Sequence, residues 1–393
     1  MPQFFPPRPR PFAQDSRMRT TDIAQALVRI PSVNPAYDAD SPGECSVVDW
    51  LENWGREQGL EPVRQPCLEN RDNLCFTIRH GDGPHLLFNG HTDTVSLAGM
   101  TIDPCGGEIR EDRLWGRGAT DMKGPLAAML ATLLRLRERD DWRGTLTVGC
   151  VVDEEYKYRG ILSLIDDNEP WDFAVVGEPT AMKVVRGCKG SCRFTIHTEG
   201  RAAHSSEPQN GANAIVGMAR AIPAMADFFE HGLARFASDG FGPSTGSIGL
   251  IDGGSGINIV PERCTIAIDI RTVPGQDWRN TLEEMEQHVR AQCDGLGDVK
   301  LVFNEPDHFS PSFETAAEHH LVQTACSVLD DAETQVVPFG CDGSKLAALD
   351  IPTIVLGPGD IAQAHTKDEH ILLKDLEAGA VAYEHLAAAL LTK

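Results

Sequence analysis

Four short apolar runs in this chain each end at residues that can bind metal ions or transfer protons. The runs read HLLFNG, TLTVGCVV, FAVVG and PTIVLG, and they begin at residues 85, 145, 173 and 352. They lead, in that order, to His91 and Asp93, to Asp153, Glu154 and Glu155, to Glu178, and through a short loop to His365. Because ligands of open α/β sheets gather beyond the carboxyl ends of the strands, these residues are predicted to meet at one site.

The rest of the sequence indicates an α/β fold with a mostly parallel sheet. From about residue 20, helix-like and strand-like patterns alternate, which is typical of strands joined by crossover helices. Between residues 188 and 303 the order becomes strand, helix, two strands, helix and strand, as in a ferredoxin-like α+β unit. We therefore predict a discontinuous first domain, 16–187 and 304–393, with a second domain, 188–303, inserted into it. Residues 1–15, rich in proline and arginine, are predicted to be a disordered N-terminal arm.

The composition excludes several kinds of partner. The chain carries 35 basic and 58 acidic residues, and its net charge of −23 repels nucleic-acid phosphates and anionic lipid headgroups. The N-terminal arm lacks the apolar region of a signal peptide, and no stretch of 18 apolar residues could span a membrane. The 11 cysteines form no CxxC pair, which indicates reduced thiols. We therefore predict a cytoplasmic protein that binds neither nucleic acid nor membrane.

The candidate ligands are imidazoles and carboxylates, without cysteine, and such a set suits zinc, manganese or cobalt. Two metal ions about 3.5–4 Å apart need a shared carboxylate and a bridging water that they activate. Asp121, which lies between the two halves of the ligand set, is predicted to be the shared carboxylate. Glu154 and Glu155 point to opposite sides of an extended chain, so one can bind a metal while the other acts as general base. Asp93, two residues after His91, can orient its imidazole.

These motifs resemble those of the dinuclear-zinc deacylases and peptidases. That family includes acetylornithine deacetylase, succinyl-diaminopimelate desuccinylase, aminoacylase and glutamate carboxypeptidase, and the acetylornithine deacetylase-like members are the most similar. The resemblance runs from about residue 20 to the C-terminus and rests on GHTDTV, GRGATDMKG, DEE, GEPT, GRAAHSSEPQNGANAI, INIVPERC, DIRTVPG and GPGDIAQAHTKDEH. It implies a zinc-exopeptidase-like catalytic domain and an inserted domain that acts as a lid and as the interface of a homodimer.

The resemblance also implies the roles of individual residues. It assigns two metal ions, with zinc expected and cobalt or manganese as alternatives, to two sets of ligands: His91, Asp121 and Glu178 for one ion, and Asp121, Glu155 and His365 for the other. Glu154 would be the general base, and Asp93 the carboxylate behind His91. Three residues of the inserted domain would bind substrate or complete a neighbouring subunit's site: His204, Asn258 and Arg271.

Several of these residues have ordinary structural alternatives. His204 and the two serines after it could cap a helix, and Asn258 could occupy a turn. Arg271 could simply pair with Asp269. Lys189 matches a position that is basic in some family members, but a solvated lysine is the favoured interpretation. His370 is interpreted as a surface residue, because the H-x-x-D-E pattern selects His365.

The predicted activity is removal of an acyl group from an N-acyl amino acid, with acetylornithine or a relative favoured. A metal-bridging hydroxide would attack the amide carbonyl, and Glu154 would pass the water's proton to the leaving amine. Cys341 and Lys345 stand where desuccinylases carry threonine and arginine, which argues against succinyl-diaminopimelate as substrate.

Other classes of function are weighed against this prediction. The main alternative is a dipeptidase or carboxypeptidase with the same catalytic centre, acting on short peptides. The complete ligand set disfavours a metal-free binding protein. A serine hydrolase is disfavoured, because the G-x-S-x-G match GPSTG, 242–246, stands before the strand pattern TGSIGLI and not at a strand-to-helix elbow. A Rossmann dehydrogenase is excluded, because no strand is followed by G-x-G-x-x-G.

Overall fold

The computed structural model describes residues 19–166, 171–293, 295–331 and 333–392, so the predicted arm, 1–15, lies outside the described residues. The α-helices are Thr20–Val28, Cys45–Glu57, Lys123–Leu136, Arg159–Asp166, Ala214–Asp227, Trp278–Gln292, His320–Leu329, Gly343–Ala347 and Leu373–Leu390. Short 3-10 or π turns are formed by Pro208–Asn210, Phe228–Gly232, Leu233–Arg235 and Ile361–Gln363.

A nine-stranded sheet forms the centre of the larger unit. Its strands lie side by side in the order Val63–Leu68, Arg71–His80, Gly144–Val151, His85–His91, Phe173–Val176, Thr353–Val355, Val184–Cys188 and Phe313–Glu314, and Thr334–Val337 also pairs with Val184–Cys188. The four neighbours from Gly144–Val151 to Thr353–Val355 run parallel, and the antiparallel pairings lie outside them. The prediction of a mostly parallel α/β sheet is confirmed.

The central sheet is buried on both faces, which explains its apolar strand runs. Side chains alternate along each strand, so Leu86 and Phe88 pack on one face while Leu87 packs on the other. The first face is covered by Lys123–Leu136, of which thirteen residues are buried, and by Leu373–Leu390. Burial of one large apolar side chain such as Phe88 contributes about 1.5–3 kcal/mol. The two cores therefore hold the carboxyl ends of the parallel strands in a fixed arrangement.

A second sheet follows the predicted ferredoxin-like order. Its strands lie in the order Thr245–Gly253, Arg263–Arg271, Ser191–Glu199 and Lys300–Phe303, and His308–Ser310 also pairs with Ser191–Glu199. The isoleucines 266, 268 and 270 all face the helices Ala214–Asp227 and Trp278–Gln292 and form a separate core with them. The chain passes between the two sheets after Cys188 and again after Ser310. The second sheet thus includes the strand His308–Ser310, which lies beyond the predicted boundary at residue 303.

Three smaller sheets complete the described strands. Glu108–Arg110, Arg113–Trp115 and His370–Leu372 form a three-stranded sheet beside the central one. Two short antiparallel pairs are formed by Ala203–His204 with Ile259–Val260, and by Ala237–Ser238 with Gly242–Pro243. The three-stranded sheet brings the segment after His365 next to the segment before Asp121.

Candidate active site

Parallel pairing brings the carboxyl ends of three strands together. His91 is the last residue of its strand and lies in register with Val151, the last residue of the next strand. Glu154 and Glu155 come three and four residues after Val151, directly after Asp153, which has a left-handed backbone conformation. The third strand, Phe173–Val176, leads to Glu178. Side chains from the central strands therefore converge at one edge of the sheet, as the sequence pattern predicts.

Two further ligand-type residues arrive at the same edge from loops. Asp121 lies two residues before the helix Lys123–Leu136, and His365 follows the turn Ile361–Gln363. The five side chains form two groups of metal-ligand type, in each of which the donor atoms lie within 4.8 Å of one another. The groups are His91, Asp121 and Glu178, and Asp121, Glu155 and His365. Asp121 belongs to both groups, as expected of a bridging carboxylate.

The two oxygens of Asp121 face different histidines. Nε2 of His91 lies 3.1 Å from Asp121 Oδ1, and Nε2 of His365 lies 3.3 Å from Asp121 Oδ2. His365 is also 3.1 Å from Glu155 Oε1, and His91 is 4.0 Å from Glu178 Oε1. The first group is buried, whereas half of the His365 side chain is exposed. The second group therefore lies on the solvent side of the first.

The electrostatics of the site favour positive charge. Burial opposes protonation of His91, but the Asp121 and Asp93 carboxylates raise its pKa well above the ordinary value. Hydrogen bonding to Asp121 and Glu155 raises the pKa of His365 to about 10. Burial and the charge of Asp121 raise the pKa of Glu178 to about 8. Protons and metal ions compete for such ligands, so metal binding at these residues would release protons.

The same residues fit divalent metal ions. Among the described residues, Oε1 of Glu178 is a buried oxygen without a hydrogen-bond partner, although burying an unpaired carboxylate oxygen is costly. A cation between Glu178, His91 and Asp121 would satisfy it. The donor set of imidazole nitrogens and carboxylate oxygens matches zinc, cobalt or manganese in chemistry.

Glu154 lies beside the first group without belonging to it. Its Oε2 is 4.0 Å from His91 Nε2, and its side chain is buried. Glu155, the next residue, faces Asp121 and His365 instead. Burial, and then the charge of Glu178, raises the pKa of Glu154 well above its ordinary value. A carboxylate with this placement can accept a proton near neutral pH.

Asp93 makes contacts that sequence reasoning did not anticipate. Its carboxylate oxygen Oδ1 lies 3.5 Å from His91 Nδ1, but the backbone oxygen of Asp93 is closer to that nitrogen, at 2.9 Å. The carboxylate also accepts hydrogen bonds from the backbone N–H groups of Glu154 and Glu155, both at 3.1 Å. Asp93 thus contacts the segment that carries these two acids as well as His91.

A buried polar network supports this segment from behind. The side-chain amide of Asn34 donates to both Asp93 and Asp153, at 2.8 and 3.0 Å. Arg71 pairs with Glu44 and with Asp153, and Glu44 accepts from the backbone N–H of Asp153. Sequence reasoning missed Asn34, Glu44 and Arg71. They carry no local motif, because their partners are supplied by distant parts of the chain.

His204, Asn258 and Arg271 belong to the second unit, which is the part of the chain built around the second sheet. They lie apart from the ligand groups, and no contact within the described ranges joins them to the five ligands. His204 and Asn258 are exposed neighbours, since the backbone N–H of Ser205 donates to the Asn258 carbonyl. Nδ1 of His204 lies 2.7 Å from the Ser206 hydroxyl. Arg271 pairs with Asp269 at 3.0 Å, as its structural alternative predicts.

Lys189 differs from its favoured interpretation as a solvated lysine. It is 7% exposed, and its amino group donates to the Pro243 carbonyl at 2.5 Å. The solvated interpretation is wrong, because the chain crosses between the two sheets at this point: the backbone N–H of Lys189 donates to the Val337 carbonyl, and its side chain is buried against Pro243. Cys150 and Cys264 are buried as predicted, and all 11 cysteines, which lie within the described ranges, are free.

His308 gives a pH-dependent prediction for stability. Burial, and then the charges of Arg193, Lys345 and Arg271, lowers the pKa of His308 to about 4. The unfolded chain, with a histidine pKa of about 6.5, binds the proton more strongly. The free energy of unfolding is therefore expected to fall as the pH falls from about 6.5 to about 4. In this range unfolding takes up as much as about one proton per molecule, and this proton uptake sets the slope.

This prediction is tested by urea unfolding of wild type and His308→Gln at several pH values between 7.5 and 4.5. The variant is expected to lose less stability on acidification. His231→Gln, which changes a histidine with a 67% exposed side chain, is the control and should behave as wild type. Equal pH dependence of wild type and His308→Gln would contradict the prediction.

An α/β sheet with two metal-donor groups at its carboxyl edge, sharing one carboxylate, defines the class of metal-dependent hydrolases. The family model described as Peptidase family M20/M25/M40 matches residues 87–389. An acetylornithine deacetylase from Erwinia tasmaniensis is 32% identical over 360 residues, covering 89% of this chain and 92% of the relative. The chain belongs to Peptidase family M20/M25/M40, and it is a hydrolase of amide bonds.

Solved structures show the same fold. A tripeptidase from Staphylococcus aureus matches with a TM-score of 0.77 at 23% identity, covering 95% of this chain and 98% of the other. A Bacillus subtilis protein described as a dinuclear metal binding peptidase from the M20 family matches with a TM-score of 0.71 at 16% identity, covering 95% and 97%. None of the helices in the described ranges is long and apolar enough to cross a membrane.

Proposed function

We propose that this hydrolase removes the acyl group from an N-acyl amino acid and resembles acetylornithine deacetylase in activity. The observation that carries the proposal is the pair of donor groups that share Asp121, with Glu154 beside them and outside both. The 32% identity to an acetylornithine deacetylase over most of both chains supports the type of substrate.

The proposed centre holds two divalent ions, zinc being favoured over cobalt and manganese. His91, Asp121 and Glu178 would hold one ion, and Asp121, Glu155 and His365 the other. When bound, such ions polarise an amide carbonyl and lower the pKa of a water molecule. The chain's own residues provide the remaining parts of the mechanism.

Glu154 is the proposed general base. Its carboxylate would take a proton from the attacking water and deliver it to the nitrogen of the leaving amine as the C–N bond breaks. Asp93 would keep this carboxylate in place, because it accepts a hydrogen bond from the Glu154 N–H. His204, Asn258 and Arg271 are proposed to bind substrate. For Arg271, binding a substrate carboxylate would compete with its pairing to Asp269.

The substrate proposal is tested by amine release from N-acetyl, N-succinyl and dipeptide substrates. Chelator-stripped protein is assayed with and without added zinc, cobalt or manganese. We expect metal-restored cleavage of acetylated amino acids, including acetylornithine. Preferential dipeptide cleavage would establish the peptidase alternative, preferential N-succinyl cleavage would establish a desuccinylase, and no cleavage with any metal would overturn the proposed activity.

We further propose that the protein is a homodimer that pairs through its second unit. In the described part of the second sheet, the edge strand Thr245–Gly253 pairs on one side only. Leu250 and Ile251 on this strand are 72% and 61% exposed, and exposed apolar edge strands favour pairing with another chain. A two-fold dimer would pair this edge with the same edge of the second copy.

Ile251→Lys is expected to shift the protein to a monomer, because each copy would then bring a charged side chain into the apolar edge that pairs. Sedimentation equilibrium of wild type and variant measures the change. Val63→Lys is a matched control, since Val63 is 63% exposed on the edge of the central sheet. A monomeric wild type, or a dimeric Ile251→Lys protein, would contradict the proposed interface.

We propose that residues 16–187 and 304–393 form the catalytic domain and 188–303 the lid, with the strand His308–Ser310 added to the lid sheet. The free thiols support a cytoplasmic location. The acidic composition disfavours nucleic acid and membrane as partners.

A further inference from the structure

Glu369 is a buried acid that belongs to neither donor group. It is 0% exposed, and one oxygen, Oε1, accepts hydrogen bonds from the backbone N–H groups of Thr120 and Asp121, at 2.9 and 3.1 Å. Its other oxygen, Oε2, pairs with Arg117 at 2.7 Å. All three contacts lie in the segment that ends at the shared ligand Asp121.

Glu369 also belongs to the segment that carries His365, which lies four residues earlier. The backbone carbonyl of Glu369 accepts a hydrogen bond from the N–H of Gly116. The next residue, His370, lies opposite Trp115 in the three-stranded sheet. The segment is held at a second point, where the Thr101 N–H donates to the Lys367 carbonyl. Glu369 therefore ties the His365 segment to the Asp121 segment through both its side chain and its backbone.

We propose that Glu369 is a positioning residue that sets the separation between Asp121 and His365, and so selectively supports the second metal position. This inference rests on the proposed two-metal centre. Outer residues that hydrogen-bond to metal-ligand segments typically change metal affinity by about 10–100-fold when they are replaced.

The selectivity follows from where the other ligands originate. His91 and Glu178, which with Asp121 form the first group, are placed by the parallel strands of the central sheet. His365 is placed by a loop, is half exposed, and has a left-handed backbone conformation with a φ of 59°. Loss of Glu369 would leave His91 and Glu178 in place, and Asp121 would keep its contact with the buried His91, 3.1 Å from Nε2 to Oδ1. The distance between Asp121 and the loop-borne His365 would loosen. The second ion would then bind more weakly than the first.

The test separates the hydrogen bonds of Glu369 from its ion pair. In both test proteins Arg117→Met removes the arginine, so that no buried charge is left unpaired. One carries Glu369→Gln, whose side-chain oxygen still accepts from the Thr120 and Asp121 N–H groups. The other carries Glu369→Met, which has a similar length but no such oxygen. The two proteins differ only in this acceptor group.

Zinc binding to the chelator-stripped proteins is measured by titration calorimetry with a competing chelator. The glutamine protein is expected to bind two ions with affinities within about threefold of wild type. The methionine protein is expected to keep the first affinity and to lose about 10–100-fold in the second. Circular dichroism verifies that each protein is folded.

Glu377→Met serves as a matched control. Glu377 accepts from the Thr21 N–H and the Thr20 hydroxyl and pairs with Arg135, so it resembles Glu369 in its contacts but holds the helix Thr20–Val28. It should leave both zinc affinities unchanged. If the methionine protein does not fold, Glu369→Asp is used, which keeps the charge and acceptor but is one methylene shorter. It is expected to weaken the second site by about tenfold.

Two results would overturn the role of Glu369. One is two-ion binding by the methionine protein, or by Glu369→Asp in its place, with wild-type affinities. The other is an equal loss of both ions. Failure of the two-metal proposal itself gives a different result, because wild type would then not bind two zinc ions.

Discussion

Glu154→Gln is expected to lower kcat by about 10²–10⁴-fold, while the protein still binds two metal ions. Glutamine has nearly the shape of glutamate but cannot accept the water's proton. Glu154 lies outside both donor groups, 4.0 Å from His91, so its replacement leaves all five ligands in place. The backbone hydrogen bond from residue 154 to Asp93 does not depend on the side chain.

The measurement pairs steady-state kinetics with metal analysis of the same samples. Glu138→Gln, which replaces an acid with a 51% exposed side chain, is the control and should retain full activity. A Glu154→Gln protein with two bound metals and nearly wild-type kcat would rule out the general-base role. Loss of metal together with activity would instead indicate that Glu154 is a ligand.

Asp121→Ala is expected to abolish binding of both metals and to lower activity below detection. Asp121 is the one residue common to the two donor groups, so alanine removes one of three protein ligands from each. The remaining acids Glu155 and Glu178 would then lie near each other without the carboxylate that joins the two positions. By contrast, His365→Ala removes a ligand from the second group only and should leave about one ion bound.

Metal content is measured by mass spectrometry of the dialysed proteins, with activity measured in parallel. Asp82→Ala, at a side chain that is 98% exposed, should bind two ions like wild type. If Asp121→Ala kept one tightly bound ion and His365→Ala kept none, the shared role would belong to another residue. The pair of variants therefore tests which carboxylate bridges the two positions.

The second unit shows where local patterns were sufficient and where they were not. The alternation of isoleucines 266, 268 and 270 predicted a strand with one apolar face, and that face packs on two helices. The exposure of Lys189 was predicted wrongly. Its burial depends on where the chain crosses between the two sheets, and the local sequence GCKGS contains no pattern that indicates such a crossing. The contact of Arg271 with Asp269 was among the alternatives, since residues i and i+2 of a strand share a face.

The sequence by itself determined the kinds of ligand and their order, because each ligand-type residue follows a strand or precedes a helix that has its own local apolar pattern. Parallel strands must end at one edge of the sheet, so convergence of His91, Glu155 and Glu178 followed from that pattern. Only the tertiary structure decided what holds these segments in place. Asn34 and Arg71 contact Asp153 from 119 and 82 residues away, and Glu369 contacts Asp121 from 248 residues away. Hydrogen bonds between residues so far apart in sequence depend on the packing of whole helices and strands, and no short sequence motif predicts them.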